Sequence, residues 1–394
     1  MKQNIIFFLI FIYASGICSY GQSTMDQVFV DIEVNNPTLQ VLKQQAEMQK
    51  LANRTGIYLS NPEVEFAYLW GTPSSTGKRT DFSVSQTFDF PTTYIHKSKV
   101  ADGQNRIADF EYEIRRRELL LEAGTVCVNL IYCNALKIEL DKRQQHAQSI
   151  ANSWQERFAR GDADILERNK AQLNLLNARK ASEANEIERN GLLSELQRLN
   201  NGQAITFDDS SYPIYAIPQD FDQWYAQRQD HNPVLQTVAQ EIEVSKQQEK
   251  LSRSMSLPKF SAGYMSEAVL GTTLRGPFIG FSIPLWENKN TLKHAKTQTV
   301  TWQKIEADTH LQFYSTLKMQ YAKALGLQTL VMDYRAILEM SNNFDLLKKS
   351  LDQGQLSLIN YMIELSVYYD AMDQVLQAER DSWLAMLELR QWEE

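Results

Sequence analysis

The stretches NPTLQVLKQQAEMQKL at residues 36–51 and NPVLQTVAQEIEVSKQ at residues 232–247 open in the same way, 196 residues apart. Each begins Asn-Pro-x-Leu and continues as a polar segment rich in Gln and Glu. Further pairs follow at nearly the same offset: Pro62 and Pro258, Tyr68 and Tyr264, Ser85 and Ser282, and Gly161 and Gly354. The shared order of these pairs predicts an internal duplication, with repeats at residues 22–212 and 213–394 forming one intertwined domain.

Proline is absent from residues 92–212 and from residues 285–394, because all ten prolines lie within residues 37–91 and 213–284. Because Pro costs about 3 kcal/mol inside a helix, these two regions are where helices can run long. Gly161 and Gly354 divide each region into a pair of predicted long helices. Apolar residues spaced four and three apart predict coiled-coil packing: Leu358, Met362, Leu365, Tyr369, Met372 and Leu376.

Two pairs of short segments alternate with a period of two, which is the signal of a β-strand. In the first half they lie at residues 64–70 and 82–90, joined by a polar loop at 71–77. In the second half they lie at residues 260–264 and 279–285, with a predicted turn at 271–276. Both hairpins are rich in aromatic residues, as membrane barrel strands are. Four strands cannot close a barrel alone, so the pattern predicts oligomerisation.

The first 21 residues have the features of a signal peptide. Lys2 supplies the positive charge, residues 5–12 form a short apolar core, and cleavage is predicted between Gly21 and Gln22. Cys18 leaves open a lipoprotein signal, although Ile17 before it is larger than the residue usual there. No later run of about 18 uninterrupted apolar residues predicts a transmembrane helix. An exported chain of this kind is periplasmic, secreted or a β-barrel.

Composition and spacing exclude other function classes. The net charge of −8 argues against a nucleic-acid partner. The five His residues show no metal-ligand spacing with Cys or with one another, and no phosphate-binding or nucleophile motif is present. We therefore predict no catalytic, cofactor-binding or metal-binding residues. Cys127 and Cys133 are too far apart on one helix for a disulfide and are predicted to be buried apolar residues.

The duplicated Asn-Pro-x-Leu openings, the paired hairpins and the two Gly-containing helix turns together resemble the TolC-like outer-membrane efflux family. The resemblance covers nearly the whole chain after residue 21. It implies a mainly α fold with a small β part: duplicated long coiled-coil helices plus two β-hairpins, assembled as a trimeric α-barrel joined to a 12-stranded outer-membrane β-barrel. The resemblance also implies a channel rather than an enzyme, located in the bacterial outer membrane with its helical barrel in the periplasm.

The resemblance further implies partners: a homotrimer, outer-membrane lipid, and a periplasmic adaptor with an inner-membrane transporter of the RND or ABC type. In the family the helix turns form the periplasmic tip, where the adaptor docks and the tunnel narrows. The residues at the corresponding turns are Arg160, Gly161, Asp162, Gln353, Gly354 and Gln355. A family member has constricting aspartates six and nine residues after the second Gly, but this chain has Asn360 and Ile363.

An acidic constriction at those positions is therefore in doubt, and Glu167, Asn360 and Glu364 stay open as candidates. The alternative function is a secreted or periplasmic structural coiled-coil protein without membrane insertion. That reading explains the helices and the signal peptide but leaves the aromatic hairpins unexplained. The sequence does not distinguish a metal ion, a drug or a protein as the exported substrate.

Overall fold

The computed structural model describes residues 24–340 and 344–392, and the predicted signal peptide lies outside them. Within these residues long helices dominate and four strands form one small sheet. The helices are α1 Thr24–Asn35, α2 Pro37–Asn53, α3 Pro91–Arg160, α4 Ile165–Leu199, α5 Phe221–Arg228, α6 Pro233–Ser254, α7 Thr291–Met340, α8 Phe344–Asp352 and α9 Leu358–Arg390. The strands are β1 Glu63–Trp70, β2 Lys78–Phe88, β3 Lys259–Val269 and β4 Thr272–Ser282.

The repeated Asn-Pro motif starts a helix in both places. The side-chain oxygen of Asn36 accepts a hydrogen bond from the backbone N–H of Leu39 at 3.0 Å, and that of Asn232 accepts one from Val234 at 2.9 Å. Proline follows each Asn at the first helical position, where its missing N–H costs nothing. The side chain of Asn36 also donates to the carbonyl of Leu199 at 2.7 Å, which ties the start of α2 to the end of α4.

The proline-free regions form the long helices. α3 has 70 residues, which corresponds to about 105 Å of helix. In the second region α7, α8 and α9 are helical, and the turn at Gly354 lies between α8 and α9. Residues 341–343, between α7 and α8, lie outside the described part of the chain. The order of helix, two strands and long helix occurs twice along the chain. The repeat boundaries at residues 22–212 and 213–394 stay a prediction.

The first hairpin was predicted closely, but the second predicted turn was wrong. Residues 272–276 do not form a loop: they belong to β4 and pair with β3. The true connection is the two-residue turn Leu270-Gly271, where both residues have positive φ, at 50° and 81°. Two positive φ values are typical of a tight hairpin turn whose twist matches that of its strands. Pro277 is tolerated within β4 because β4 is an edge strand.

The four strands form an antiparallel sheet in the order β1-β2-β3-β4, so that β2 and β3 join the two hairpins. α3 follows β2 directly and leads away from the sheet. The main apolar core lies where α1 and the ends of α4 and α9 pack against the middle of α3. A second, aromatic cluster joins α5 to α7 and α9 around Phe221, Trp224 and Tyr225.

Cys127 and Cys133 are buried free thiols in α3, as the sequence predicts. Burial raises the pKa of Cys127 to about 12 and that of Cys133 to about 11. Both thiols therefore stay protonated and unreactive at neutral pH.

α3 also contains the one stretch among the described helices that is long and apolar enough to cross a membrane by composition. Of that stretch, 56% is buried inside the molecule. A packed core helix passes the same test, and contact with the neighbouring helices accounts for the apolar composition.

Gly124 permits a close contact between helices in the main core. A Cβ atom added there would lie 2.6 Å from a methyl group of Leu387 and 3.1 Å from the ring of Phe29. Gly124→Leu is expected to lower the free energy of unfolding by about 1–3 kcal/mol through overpacking. Gly191→Leu on α4, where nothing lies within 4 Å, should raise it by up to about 1 kcal/mol. Denaturant unfolding in detergent measures both, and equal changes would contradict this account of the core.

Candidate functional sites at the two ends of the molecule

Gly161 ends α3 and forms the turn that leads to α4. Gly161 has φ +81°, and its N–H donates to the carbonyl of Phe158 at 3.0 Å. The N–H of Asp162 donates to the carbonyl of Arg157 at 2.8 Å. This hydrogen-bond pair is the Schellman motif, which needs a left-handed residue and so favours Gly. Asp164 then caps α4 by accepting from the N–H of Glu167 at 2.8 Å.

The turn before α9 repeats this geometry. Gly354 has φ +69° and donates to the carbonyl of Leu351 at 3.1 Å, while Gln355 donates to that of Ser350 at 2.9 Å. Ser357 caps α9 by accepting from the N–H of Asn360 at 3.3 Å. The capping residue lies three positions after the glycine in both turns. Both glycines therefore adopt the positive φ that this kind of turn requires.

One apolar cluster, here called the tip cluster, holds the two turns side by side. It combines residues from four helices near both glycines: Ile150 and Trp154 of α3, Ala171 of α4, Leu351 of α8, and Leu358, Tyr361 and Leu365 of α9. Ala163 from the first turn and Leu356 from the second pack against this cluster. Two turns that are 193 residues apart in sequence therefore form one end of the molecule.

The residues predicted at the tip are brought together and are exposed. Arg160, Asp162, Gln353 and Gln355 all face solvent beside their glycines. Arg160 and Asp162 lie 3.5 Å apart, an exposed ion pair that contributes little to stability. The backbone of the turns is satisfied without these side chains, which leaves them available for contact with another molecule.

The three candidate constriction residues occupy the first turns of α4 and α9. Glu167 and Asn360 hold equivalent positions, since each donates its backbone N–H to the capping residue of its own helix. A carboxylate at this position is favoured by the positive end of the helix dipole, which applies to Glu167. Asn360 and Glu364 are exposed on α9, and Glu167 is half-buried on α4.

A polar network just behind the tip cluster was not predicted. The guanidinium of Arg143 in α3 donates two hydrogen bonds to the carboxylate of Asp373 in α9, at 2.9 and 2.6 Å. The same guanidinium lies 4.5 Å from the ring centre of Tyr369. Tyr369 and Asp373 share a helix face because they are four residues apart, a spacing visible in the sequence. Nothing in the sequence indicates that Arg143, 230 residues away, meets them.

His146 belongs to this network. Its Nδ1 lies 3.1 Å from the hydroxyl of Tyr369, and its ring stacks on Phe344 of α8 at 4.0 Å. Burial lowers the pKa of His146, with the charge of Lys348 acting in the same direction, so the imidazole is neutral at pH 7. Burial also raises the pKa of Tyr369 to about 12. The network thus joins α3, α8 and α9 through neutral rings and one ion pair.

The sheet at the other end exposes an apolar face. The cross-strand register places these residues on one side: Val64, Phe66, Tyr68, Trp70, Lys78, Thr80, Phe82, Val84, Gln86, Phe88, Phe260, Ala262, Tyr264, Ser266, Ala268, Thr273, Arg275, Pro277, Ile279 and Phe281. Large members are open to the surroundings: Phe66 is 66% exposed, Trp70 75% and Ile279 83%. An apolar surface of this extent marks an interaction face rather than a solvated one.

The opposite face of the sheet is mainly polar. It carries Glu63, Glu65, Arg79, Asp81, Ser83, Ser85, Thr87, Lys259, Ser261 and Glu267, among others. Arg79 bonds Asp81 at 2.9 Å and lies 3.3 Å from Glu267. β2, β3 and β4 each have 11 residues, the length of a strand that crosses a bilayer at a tilt. Strands with one apolar and one polar face are typical of membrane barrels.

Across residues 24–340 and 344–392, no group of three or more His, Cys, Asp or Glu side chains is placed to hold a metal ion. The arrangement therefore offers two features: an apolar sheet face at one end and a polar, backbone-satisfied helix tip at the other.

Comparison with solved structures finds this fold in outer-membrane channels. The CmeC outer membrane channel of Campylobacter jejuni has a TM-score of 0.73 at 14% identity, covering 94% of this chain and 85% of that one. CusC, which forms a transmembrane channel, has a TM-score of 0.77 at 12% identity, covering 94% and 92%. The open MtrE outer membrane channel of Neisseria gonorrhoeae has a TM-score of 0.72 at 12% identity, covering 94% and 88%.

No protein-family model and no curated protein sequence matches the chain. The structural neighbours are channel proteins and not enzymes. The predicted resemblance is confirmed for the fold: a mainly helical chain with a small antiparallel sheet, the TolC-like fold of outer-membrane efflux channels.

Proposed function

We propose that this chain is a non-enzymatic subunit of an outer-membrane channel, the exit duct of a tripartite efflux pump or a type I secretion system. The observation that carries the proposal is the exposed apolar sheet face continued by α3, a helix of about 105 Å. The sheet crosses the outer membrane with that face toward lipid, and the helices extend into the periplasm. Residues 1–21 direct export, and the repeats meet near residue 212.

The open edges of the sheet support a shared barrel. β1 and β4 each have a neighbour on one side within the chain, and their other backbone edges are unpaired. Unpaired backbone groups are not stable in hydrocarbon, so β4 of one subunit pairs with β1 of the next. Three copies of the four-stranded sheet give the 12-stranded barrel that the fold resemblance implies.

The helical layer has corresponding edges. α4 packs on α3, and α7 packs on α9 and α6, which leaves an outer side of α4 and of α7 uncovered. These sides carry exposed apolar residues: Leu173, Leu176 and Ile187 on α4, and Leu311, Met319 and Met332 on α7. Contact between α4 of one subunit and α7 of the next buries both sets and closes the helical barrel beneath the strands.

The tip is the docking surface for a periplasmic adaptor, which connects the channel to an RND-type or ABC-type inner-membrane transporter. Arg160, Asp162, Gln353 and Gln355 supply the polar contacts around Gly161 and Gly354. In the assembled tip the first turns of α4 and α9 surround the tunnel, where Glu167, Asn360 and Glu364 are the candidates for its narrowest ring. A structural coiled-coil protein without membrane insertion is disfavoured, because it would leave the apolar sheet face in water.

The first test concerns insertion as a trimer. Native mass spectrometry of the detergent-extracted chain is expected to show a trimer in the membrane fraction. Ile279→Lys on the apolar face should lower the yield of membrane-inserted trimer, because Lys costs about 2–4 kcal/mol at the bilayer midplane. Ser261→Lys on the opposite face is the control and should insert normally. A stable folded monomer, or equal insertion of both variants, would rule out the shared barrel.

The second test concerns orientation. Ser75 lies in the loop of the first hairpin and Gln355 at the tip, and both are exposed. A cysteine introduced at Ser75 should react with a membrane-impermeant thiol reagent on intact cells, and one introduced at Gln355 should not. The unmodified chain serves as the negative control, because its Cys127 and Cys133 thiols are buried and protonated and should not react. Labelling at Gln355 alone would reverse the proposed topology.

The third test concerns the tip. Gly354→Val places a β-branched residue at φ +69°, which costs about 1–2 kcal/mol locally. We expect export to fall while trimer yield is maintained, since the sheet lies at the other end of the molecule. Gly202→Val in the loop after α4, where φ is +79° and nothing lies within 4 Å, is the control for the strain and should export normally. Joint loss of trimer and export would assign Gly354 to folding, and unchanged export would remove this turn from docking.

A further inference from the structure

The apolar face of the sheet carries charge of one sign only. Among the residues that β1–β4 place on that face, Lys78 and Arg275 are the charged ones. The opposite face carries both signs, with four acidic residues against Arg79 and Lys259. Charged side chains on a membrane-facing strand are unfavourable unless they reach a polar partner. These two cations therefore need a partner outside the hydrocarbon.

Both cations lie toward the hairpin loops. Lys78 is the first residue of β2 and pairs with Trp70 at the end of β1. Its ammonium group lies 5.8 Å from the ring centre of Tyr68, so two aromatic residues surround it. Arg275 lies four residues after Gly271, or about 13 Å along the strand from the turn. Long basic side chains direct their charge toward a bilayer surface while their stems stay in apolar surroundings.

Neither cation is neutralised within the chain. The acidic residues nearest in register, Asp81 and Glu267, point to the other face and pair with Arg79 there. Lys78 and Arg275 form no ion pair with any residue of the described chain, at 24–340 and 344–392. Their positive charge is thus available on the same side as the aromatic residues Tyr68 and Trp70, which are typical of a membrane interface.

We propose that Lys78 and Arg275 bind the phosphate groups of a phosphorylated lipid in the outer leaflet of the membrane, an inference that rests on the proposed membrane insertion of the sheet. Phosphate matches the fork of an Arg guanidinium and the point charge of a Lys ammonium. The partner is a lipid headgroup rather than free phosphate, because both cations rise from an apolar face that acyl chains cover. The lipid then seals the outer rim of the barrel against the headgroup layer.

The experiment uses the full mature chain and diphosphorylated lipid A as the probe. Flotation with phosphatidylcholine vesicles first establishes that each protein inserts. Native mass spectrometry then measures bound lipid A for the unmodified chain, for the double variant Lys78→Gln with Arg275→Gln, and for Lys259→Gln. Lys259 is the matched control, since it lies on the opposite face. Dephosphorylated lipid A and inorganic phosphate are the ligand controls.

The double variant is expected to insert but to bind lipid A about tenfold or more weakly, as the loss of two surface cations implies. Lys259→Gln should bind normally. The inference is overturned if the double variant binds like the unmodified chain, if dephosphorylated lipid A binds equally well, or if inorganic phosphate competes fully at equal concentration. If the unmodified chain does not float with vesicles, the proposed membrane insertion fails first and the lipid site with it.

Discussion

The structure depends on the need to satisfy the backbone groups of a four-stranded sheet that is apolar on one side and open at both edges. In water the exposed aromatic face is unfavourable. In lipid the unpaired backbone edges of β1 and β4 are unfavourable. A membrane resolves the first problem and neighbouring copies resolve the second. Under the proposed function membrane insertion and oligomerisation are therefore linked, because neither alone removes both costs.

The helical part of the chain begins at the base of the sheet, where the strands end. α3 continues directly from β2 and has a single uninterrupted path of 70 residues to the tip. Its middle is buried by α1, α4 and α9, and its end by the tip cluster. The Arg143–Asp373 pair joins α3 to α9 just before the tip. These buried and paired groups lie where helices of the first half of the chain pack against helices of the second half. Their contacts hold the two glycine turns side by side.

Local signals in the sequence predicted local structure well. The Asn-Pro openings are helix caps with proline at the first helical position, and both Gly161 and Gly354 lie in turns between helices. The first hairpin was predicted within a few residues, because its alternation is regular and its loop is long and polar. These features depend on residues close together in the chain, where propensity and hydrogen-bonding chemistry act directly.

Features that depend on distant residues were missed. The turn at Leu270-Gly271 was misplaced because Gly276 and Pro277 suggested a loop, whereas the pairing of β4 with β3 decides the register. The contacts of Arg143 with Asp373 and of Asn36 with Leu199 join residues far apart in sequence, and one chain carries no signal for them. For the candidate site, the tip residues were identified and shown to lie together, while their roles in docking and constriction stay predictions.

The two tip turns owe their shape to a glycine, to main-chain hydrogen bonds and to one capping side chain each. The exposed side chains of the residues around them take no part in that framework. Under the proposed docking role, substitution at residues 160, 162, 353 or 355 can therefore change what the tip recognises without changing how it folds. In that role, selection on partner choice and selection on stability would act on separate side chains, so one channel architecture could be matched to different machines through few substitutions.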